Sequence, residues 1–330
     1  MLTTVEQLST GEYIAAVPAL VGYMPTNTIA LVFTRGRMIE LAVDVALDQD
    51  RYGCAAHLAK VAETRNLESV VIIAVADKHH TGPAIDFTTI LAEEFNAVGI
   101  TVRARAFTAR LALGAEWSDL DRPVGGVITD TTATAHAIAA ITTGRRIFAD
   151  RRAIAACYTT VAAPAPGPVA VAAAQAAANS AGFAAATLRA LAVTVSINGE
   201  PTEVLAARVS IMLTTDTTAC DALLGVATID LATAAAIYTA LANQMQGAPR
   251  MHALAAVAYL HLINGSGTDS LEAITHARAE ARRIKVEDNA LMNTVTTGHD
   301  RIIPLTYLRG LLAVGTIAAA KFGLDLPGIS

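Results

Sequence analysis

After a short first helix, the sequence predicts two strand-like segments on either side of a short basic turn. Residues 29–34 and 38–45 are rich in Ile, Leu and Val and flank a turn around Gly36. Glycine readily adopts the positive φ that such a tight turn requires. In residues 38–45 apolar side chains alternate with Glu40 and Asp44, so one face of this strand should lie in the core and the other in water. The pattern predicts a β-hairpin.

Two helices and two further strands follow the hairpin. Residues 52–66 and 85–98 carry apolar side chains at helical spacing, and residues 69–76 form the continuous apolar run that is typical of a central strand. Residues 101–107 form another strand, whose two arginines on one face favour a position near the sheet edge. Because a strand–helix–strand crossover places its helix on a sheet face, we expect an α/β domain, a mixed sheet with flanking helices.

The remaining pattern is helical and is interrupted by one proline-rich segment. Residues 129–158 indicate helix, with Asp150 in position to cap its last part. Prolines fix φ and remove backbone donors, so we assign residues 161–168 as a Pro-rich linker between a mixed α/β domain (1–160) and an all-α helical domain (169–330). In the second domain we predict a bundle or a helical-hairpin array, with helices at 169–191, 203–214, 231–246, 251–264, 270–284 and 302–322.

Composition limits the class of protein. With 330 residues, of which 53% are hydrophobic and 16% charged, the chain holds enough apolar material for about two domains and is not disordered over most of its length. Its net charge of −5 provides no overall basic field for nucleic acid. The three cysteines are far apart, and residues 1–13 lack the basic and apolar regions of a signal peptide, so we expect a cytoplasmic location. Charged and polar residues within 168–195 and 302–323 make a membrane span unexpected there.

The segment AVPALVGYMPTNTI at residues 16–29 resembles the opening signature of the actinobacterial domain-of-unknown-function family DUF4192. Further similarity follows at the strand that ends in Asp44, at the apolar strand that runs into Asp77, at Trp117 and in residues 127–158, where Ala-Asp-Arg-Arg precedes the last helix. The single tryptophan is a departure from the family pattern and indicates a divergent member. The resemblance implies an α/β domain followed by helices, and it implies no activity, cofactor or site residue.

The best candidate for chemistry is the segment directly after the apolar strand 69–76, because open α/β sheets bind ligands outside the carboxyl ends of their strands. A carboxylate, an ammonium and two imidazoles there are able to bind a metal or a phosphate, or to move a proton. The alternative is a solvated loop whose turn is formed by Gly82 and Pro83. If the strands pair as predicted, the hairpin strand brings a second carboxylate nearby. The candidate ligand-binding residues are Asp77, Lys78, His79, His80 and Asp44.

Other possible sites are less specific. Cys54 and His57 share a helix face at a spacing that zinc ligands use, but no second pair accompanies them, and a small buried cysteine explains the pattern equally. Phosphate-loop, dinucleotide, serine-hydrolase and metalloprotease motifs are missing from the sequence. The sequence therefore identifies no catalytic residue and no cofactor.

Two groups of basic residues provide a nucleic-acid alternative. A surface that combined them would contact phosphates, but glutamates interleaved with the second group favour a solvated face of ion pairs. The groups are Arg145, Arg146, Arg151 and Arg152, and Arg278, Arg282, Arg283 and Lys285.

The sequence favours a non-enzymatic binding or assembly module with a protein partner or further copies of itself, since it combines missing catalytic motifs with abundant apolar helical surface. A small-ligand or metal-binding sensor or enzyme that uses Asp77 to His80 is the alternative. Nucleic-acid binding through the arginines is the second alternative.

Overall fold

The computed structural model describes residues 8–159, 166–215, 217–300 and 305–328. The chain forms two compact units, Met1–Ala153 (unit 1) and Ile154–Ser330 (unit 2). Of the Pro-rich linker expected at residues 161–168, residues 161–165 lie outside the described part of the chain, and residues 166–168 belong to a helix.

Unit 1 is built around one mixed β-sheet. The predicted hairpin forms, with Gly36 at a φ of +57°, and all residues of the predicted central strand are buried. Two short strands that the sequence did not predict extend the far side of the sheet. The strands in the described residues are β1 (Thr28–Arg35), β2 (Met38–Ala46), β3 (Ser69–Val75), β4 (Thr101–Thr108), β5 (Glu116–Asp119) and β6 (Gly125–Val127).

The strand order is β2-β1-β3-β4-β5-β6. β1 is antiparallel to both β2 and β3, whereas β3 and β4 are parallel. β4 is therefore not an edge strand, although β5 pairs only with its last residues, Ala106 to Thr108. A parallel pair needs a crossover connection, and the helix between β3 and β4 provides it.

Three helices pack on the two faces of this sheet, α1 (Thr10–Val21), α2 (Arg51–Thr64) and α3 (Thr81–Ala97). Two more follow the sheet along the chain, α4 (Ala135–Thr142), which contacts α1, and α5 (Arg151–Ala156), which extends into unit 2. α2 and α3 pack over the face that carries Leu31, Phe33 and Ile72, and α1 contacts β1, β2 and β3 on the opposite face. Phe33 meets Phe95 of α3 edge to face, with ring centroids 5.3 Å apart, which is a favourable aromatic geometry.

Local capping explains where several helices begin. Ser9 and Glu12 form a reciprocal capping box at the start of α1. The predicted cap at Asp150 is confirmed, since its Oδ1 accepts from the Ala153 N–H at 2.8 Å. The turn predicted at Gly82 and Pro83 is wrong: both residues lie in the first turn of α3, where a proline loses no intrahelical hydrogen bond.

Unit 2 is helical throughout its described elements. The predicted helix 169–191 is two helices, because Asn179 caps a new helix through the Gly182 N–H. α9 and α13 were not predicted. The helices are α6 (Pro166–Ala178), α7 (Ser180–Ser196), α8 (Glu203–Thr215), α9 (Thr217–Val226), α10 (Leu231–Asn243), α11 (Gly247–Ile263), α12 (Gly267–Ile284), α13 (Ala290–Asp300) and α14 (Leu305–Lys321).

α11 is the central helix of unit 2. It packs against α8, α10, α12, α13 and α14, and its residues from Ala253 to Leu260 are all buried. A helix that is apolar on every side is stable only inside a helical core. The expected order of an α/β domain followed by an all-α domain is confirmed, and none of the described helices combines the length and the apolar character that crossing a bilayer demands.

Candidate functional site

The predicted site residues form the turn between β3 and α3. β3 ends at Val75 and α3 begins at Thr81, so the turn lies at the carboxyl end of a buried central strand. The residues between these elements include Asp77, Lys78, His79 and His80.

Asp77 is the centre of a hydrogen-bond network in this turn. Its Oδ1 accepts from the backbone N–H groups of His79 at 2.8 Å and of His80 at 3.2 Å. Its Oδ2 accepts from Asn27 Nδ2 at 3.0 Å, and its backbone N–H donates to Asn27 Oδ1 at 3.0 Å. Hydrogen bonds from His80, Asn27 and His79 hold the pKa of the Asp77 carboxyl well below its usual range. Both carboxylate oxygens are therefore already engaged, Oδ1 within the turn and Oδ2 by Asn27, which directly precedes β1.

The Asp77–His80 contact defines what the turn offers to a ligand. His80 Nδ1 lies 2.8 Å from Asp77 Oδ1, and about half of each side chain is exposed. A carboxylate facing Nδ1 favours the tautomer with hydrogen on that nitrogen and leaves Nε2 as the acceptor. Lys78 and His79 are exposed beside this pair. The turn thus presents a carboxylate–imidazole dyad at the surface.

Asp44 does not join this turn. It pairs with Ala30 on β1, and Ala30 pairs with Ile73 on β3, so β1 lies between Asp44 and the strand that leads to Asp77. The expectation that Asp44 faces water is also wrong, since only 8% of its side chain is exposed.

Asp44 instead belongs to a second, buried cluster. Tyr23 donates its hydroxyl hydrogen to Asp44 Oδ2 at 2.5 Å, and Arg151 Nη1 lies 3.8 Å from the same oxygen. Burial and the Asp44 carboxylate raise the pKa of the Tyr23 hydroxyl above its usual value. The main chain fixes Tyr23 in place, because Gly22 and Met24 bond to the backbone of Phe148. A buried carboxylate is tolerated here because it is both hydrogen-bonded and close to a cation.

Residues 11–282 match the sequence model of a family described as a domain of unknown function, DUF4192. The chain belongs to the DUF4192 family. The match extends from α1 to α12 and so includes elements of both units. No curated protein and no solved structure matched the chain.

The structure connects the segments that carry the DUF4192 resemblance. The opening segment supplies Tyr23 to Asp44 and Asn27 to Asp77, and Arg151 approaches Asp44 from the Ala-Asp-Arg-Arg segment. Sequence reasoning singled out the two carboxylates and missed Tyr23 and Asn27 as their partners. The available signal was their position in the opening signature at residues 16–29.

The other candidates of this DUF4192 chain lie apart from one another. Cys54 packs against the core cluster of unit 1, and burial raises the pKa of its thiol, whereas His57 is exposed. Nowhere in the described ranges do three or more His, Cys, Asp or Glu side chains form a group able to hold a metal ion.

The basic residues of α12 are partly neutralised. Arg278 Nε donates to Asp288 Oδ2 at 2.9 Å, and Arg283 donates to both oxygens of Glu280. These contacts match the ion-paired face that the interleaved glutamates predict. They leave less positive charge available for phosphates than the number of arginines indicates.

Proposed function

We propose that this DUF4192 chain is a non-enzymatic, cytoplasmic binding or assembly protein whose partner is another protein or further copies of the same chain. The observation that carries the proposal is a set of large apolar side chains left exposed on the outer faces of helices. Ile138 and Ile141 are both more than half exposed on α4, and Tyr307, Val314 and Ile317 are exposed on α14.

These exposed apolar side chains are arranged in pairs on single helix faces, and this arrangement indicates an interaction surface better than their number does. Single exposed apolar residues are normal on protein surfaces, whereas several on one helix face are typical of interaction sites. Ile138 and Ile141 are separated by one helical turn, as are Val314 and Ile317, so each pair lies on a common face.

The candidate carboxylates support the same proposal. The Asp77 carboxylate has three hydrogen-bond contacts inside its own turn and accepts a fourth hydrogen bond from Asn27, and the Asp44 carboxylate accepts from the Tyr23 hydroxyl. Both carboxylates therefore already have hydrogen-bond partners within unit 1.

One specific observation favours a second candidate function, the binding of a small ligand or metal at the dyad. The Asp77–His80 contact leaves an oriented, half-exposed imidazole beside Lys78 at the carboxyl end of β3. An imidazole oriented by a carboxylate is the arrangement that metal ligands and general bases use.

Native mass spectrometry on gently purified protein separates these two functions. A homo-oligomer, or a complex with a defined protein, supports the assembly proposal. A small-ligand adduct that is lost in His80→Ala and kept in the exposed control His57→Ala supports the second candidate. A monomer without any adduct or partner over the micromolar range contradicts both.

A further inference from the structure

The Asp77–His80 dyad holds one imidazole in a fixed orientation at the surface. Asp77 Oδ1 lies 2.8 Å from His80 Nδ1 and accepts from the backbone N–H groups of His79 and His80. Asn27 Nδ2 binds the other carboxylate oxygen at 3.0 Å, so the carboxylate is itself held from two sides. Because the hydrogen on Nδ1 binds the carboxylate, the lone pair of the ring is on Nε2, on the other side of the imidazole.

The His80 imidazole meets the structural requirements of a nucleophile. A nucleophilic imidazole needs an accessible lone pair, and a neighbouring carboxylate stabilises the positive charge that forms on the ring when Nε2 makes a bond. About half of the His80 side chain is exposed, and within the described part of the chain its Nε2 forms no hydrogen bond. The dyad thus combines a free lone pair with a fixed negative charge at Nδ1.

The charges around the dyad favour an anionic reactant. Lys78 and His79 are exposed on the same turn, and neither joins an ion pair with any described residue. The negative charge of Asp77 lies on the Nδ1 side of the ring, away from Nε2. The 17-residue helix α3 begins directly after His80, so the positive end of its dipole adds to the field of Lys78. A phosphoryl group suits this field, because it combines an electrophilic phosphorus with negatively charged oxygens.

We propose that His80 is a phosphoryl acceptor, which takes a phosphoryl group on Nε2 from a phosphoramidate donor. The inference rests on the second candidate function, ligand binding at the dyad, and names the chemical class of the ligand. Nε2 forms a bond to phosphorus, and the P–N bond of the donor breaks. The bonding pair stays on the donor nitrogen, which is protonated beforehand and leaves as a neutral amine. The imidazole ring becomes cationic and keeps its Nδ1 hydrogen on Asp77, whose negative charge stabilises the product.

Phosphoramidate itself is the probe, added to the full chain at low salt. Mass spectrometry of the intact chain with fragmentation follows the added phosphoryl group and assigns it to a residue. His57 is an internal control, since it is exposed and forms no hydrogen bond with a described residue. His80 should react about 10- to 100-fold faster than His57, the range over which a carboxylate that orients an imidazole acts. Phosphorus NMR distinguishes the two ring positions and should show the Nε2 product.

Asp77→Asn tests the role of the carboxylate as a positioning residue. The change keeps the shape of the side chain and removes its charge, so the rate at His80 should fall about 10- to 100-fold and the rate at His57 should not change. Circular dichroism and Trp117 fluorescence check that the variant keeps the fold of the wild-type chain.

Lys78→Gln tests the preference for an anion. Transfer from phosphoramidate to His80 should slow in this variant, because the field that attracts the donor is weaker, and added salt should reduce the difference. The neutral reagent diethyl pyrocarbonate, which acylates imidazole nitrogen, should modify His80 equally fast in the variant and the wild-type chain.

Four results would overturn the phosphoryl-acceptor proposal: equal rates at His80 and His57, an Asp77→Asn variant that reacts like wild type, a product on Nδ1, or a Lys78→Gln variant with an unchanged rate towards phosphoramidate. If His80 fails as an acceptor and native mass spectrometry still shows an adduct that is lost in His80→Ala, the second candidate function stands and only the ligand class is wrong. If no such adduct is seen either, the dyad binds nothing and both ideas are wrong.

Discussion

At the scale of residues, the segment between α1 and β1 contacts both candidate carboxylates through two polar side chains. Tyr23 donates to the buried Asp44, and Asn27 exchanges hydrogen bonds with Asp77. Asn27 adopts a positive φ of 52°, which asparagine tolerates better than most residues. The two side chains thus connect the chain between α1 and β1 to both carboxylates that the sequence singled out.

Replacing Tyr23 tests the buried cluster. Tyr23→Phe keeps the ring and removes the hydroxyl that donates to Asp44, so it should lower the free energy of unfolding by about 1.5–3 kcal/mol, the range for hydrogen bonds to charged groups. Urea unfolding followed by fluorescence of Trp117 measures the change. The exposed Tyr52→Phe should have no measurable effect, and in an Asp44→Ala background Tyr23→Phe should cost much less. Equal stabilities of Tyr23→Phe and Tyr52→Phe would show that the hydroxyl contributes nothing.

Sequence reasoning singled out the two candidate carboxylates and not their hydrogen-bond partners. Asp77 is recognisable because a polar group follows directly after a buried apolar strand, which is a local pattern. Asn27 is far from Asp77 along the chain, and only the pairing of β1 with β3 brings them together. Asp44 was predicted to be solvated from strand alternation alone, and its burial depends on the distant Tyr23 and Arg151.

At the scale of elements, α9 and α14 meet through two glycines. A Cβ at Gly225 would lie 2.4 Å from the backbone of Gly315, and a Cβ at Gly315 would lie 2.5 Å from the backbone of Gly225. Such distances require the helices to separate, because backbone atoms cannot rotate away. Close packing of this kind is sensitive to a single added methyl group.

Alanine substitutions test this contact with a control in the same helix. Gly315→Ala should lower the free energy of unfolding by about 1–3 kcal/mol or more through overpacking. Gly310→Ala, at a position with nothing within 4 Å of the added Cβ, should raise it by up to about 1 kcal/mol, since alanine favours helix over glycine. Thermal unfolding followed by circular dichroism, with dilute protein, compares the two. Stabilisation by both changes would mean that α9 and α14 have room to separate without cost.

The length and the hydrophobic pattern of each element explain which elements the sequence predicts. The hairpin and β3 have long apolar or alternating patterns, so they were identified close to their true ends. β6 has only three residues, too few to establish a period. α13 contains several threonines, which have low helix propensity, and its buried Met292 and Val295 show that packing against other helices stabilises it.

At the scale of the whole molecule, the residues that directly follow α5 belong to the core of unit 2. Tyr158 is fully buried, and its hydroxyl donates to the Asp269 carbonyl at 3.2 Å. The Tyr158 carbonyl accepts from the buried guanidinium of Arg250, and Asn243 Nδ2 donates to the Cys157 carbonyl at 2.7 Å. These contacts tie residues that precede the predicted linker at 161–168 into the helical core, as the division after Ala153 requires.

Two spectroscopic signals of the full chain distinguish the units. Trp117 is the single tryptophan and lies in β5 of unit 1, whereas circular dichroism is dominated by the helices of unit 2. Tyr158→Ala empties a buried site and should lower the stability of unit 2 by about 3–5 kcal/mol, the range for large aromatic side chains. The circular dichroism midpoint should therefore fall, the Trp117 midpoint should stay unchanged, and the exposed control Ile197→Ala should move neither.

Other combinations of the circular dichroism and Trp117 midpoints would place the boundary elsewhere. If Tyr158→Ala lowers only the Trp117 midpoint, Tyr158 stabilises unit 1 and the boundary lies in the proline-rich segment, where the sequence places it. If both midpoints fall together, the two units unfold as one cooperative system. Only a shift confined to the helical signal agrees with a core in which Arg250 and Asn243 of unit 2 bind the carbonyls of the two residues that follow α5.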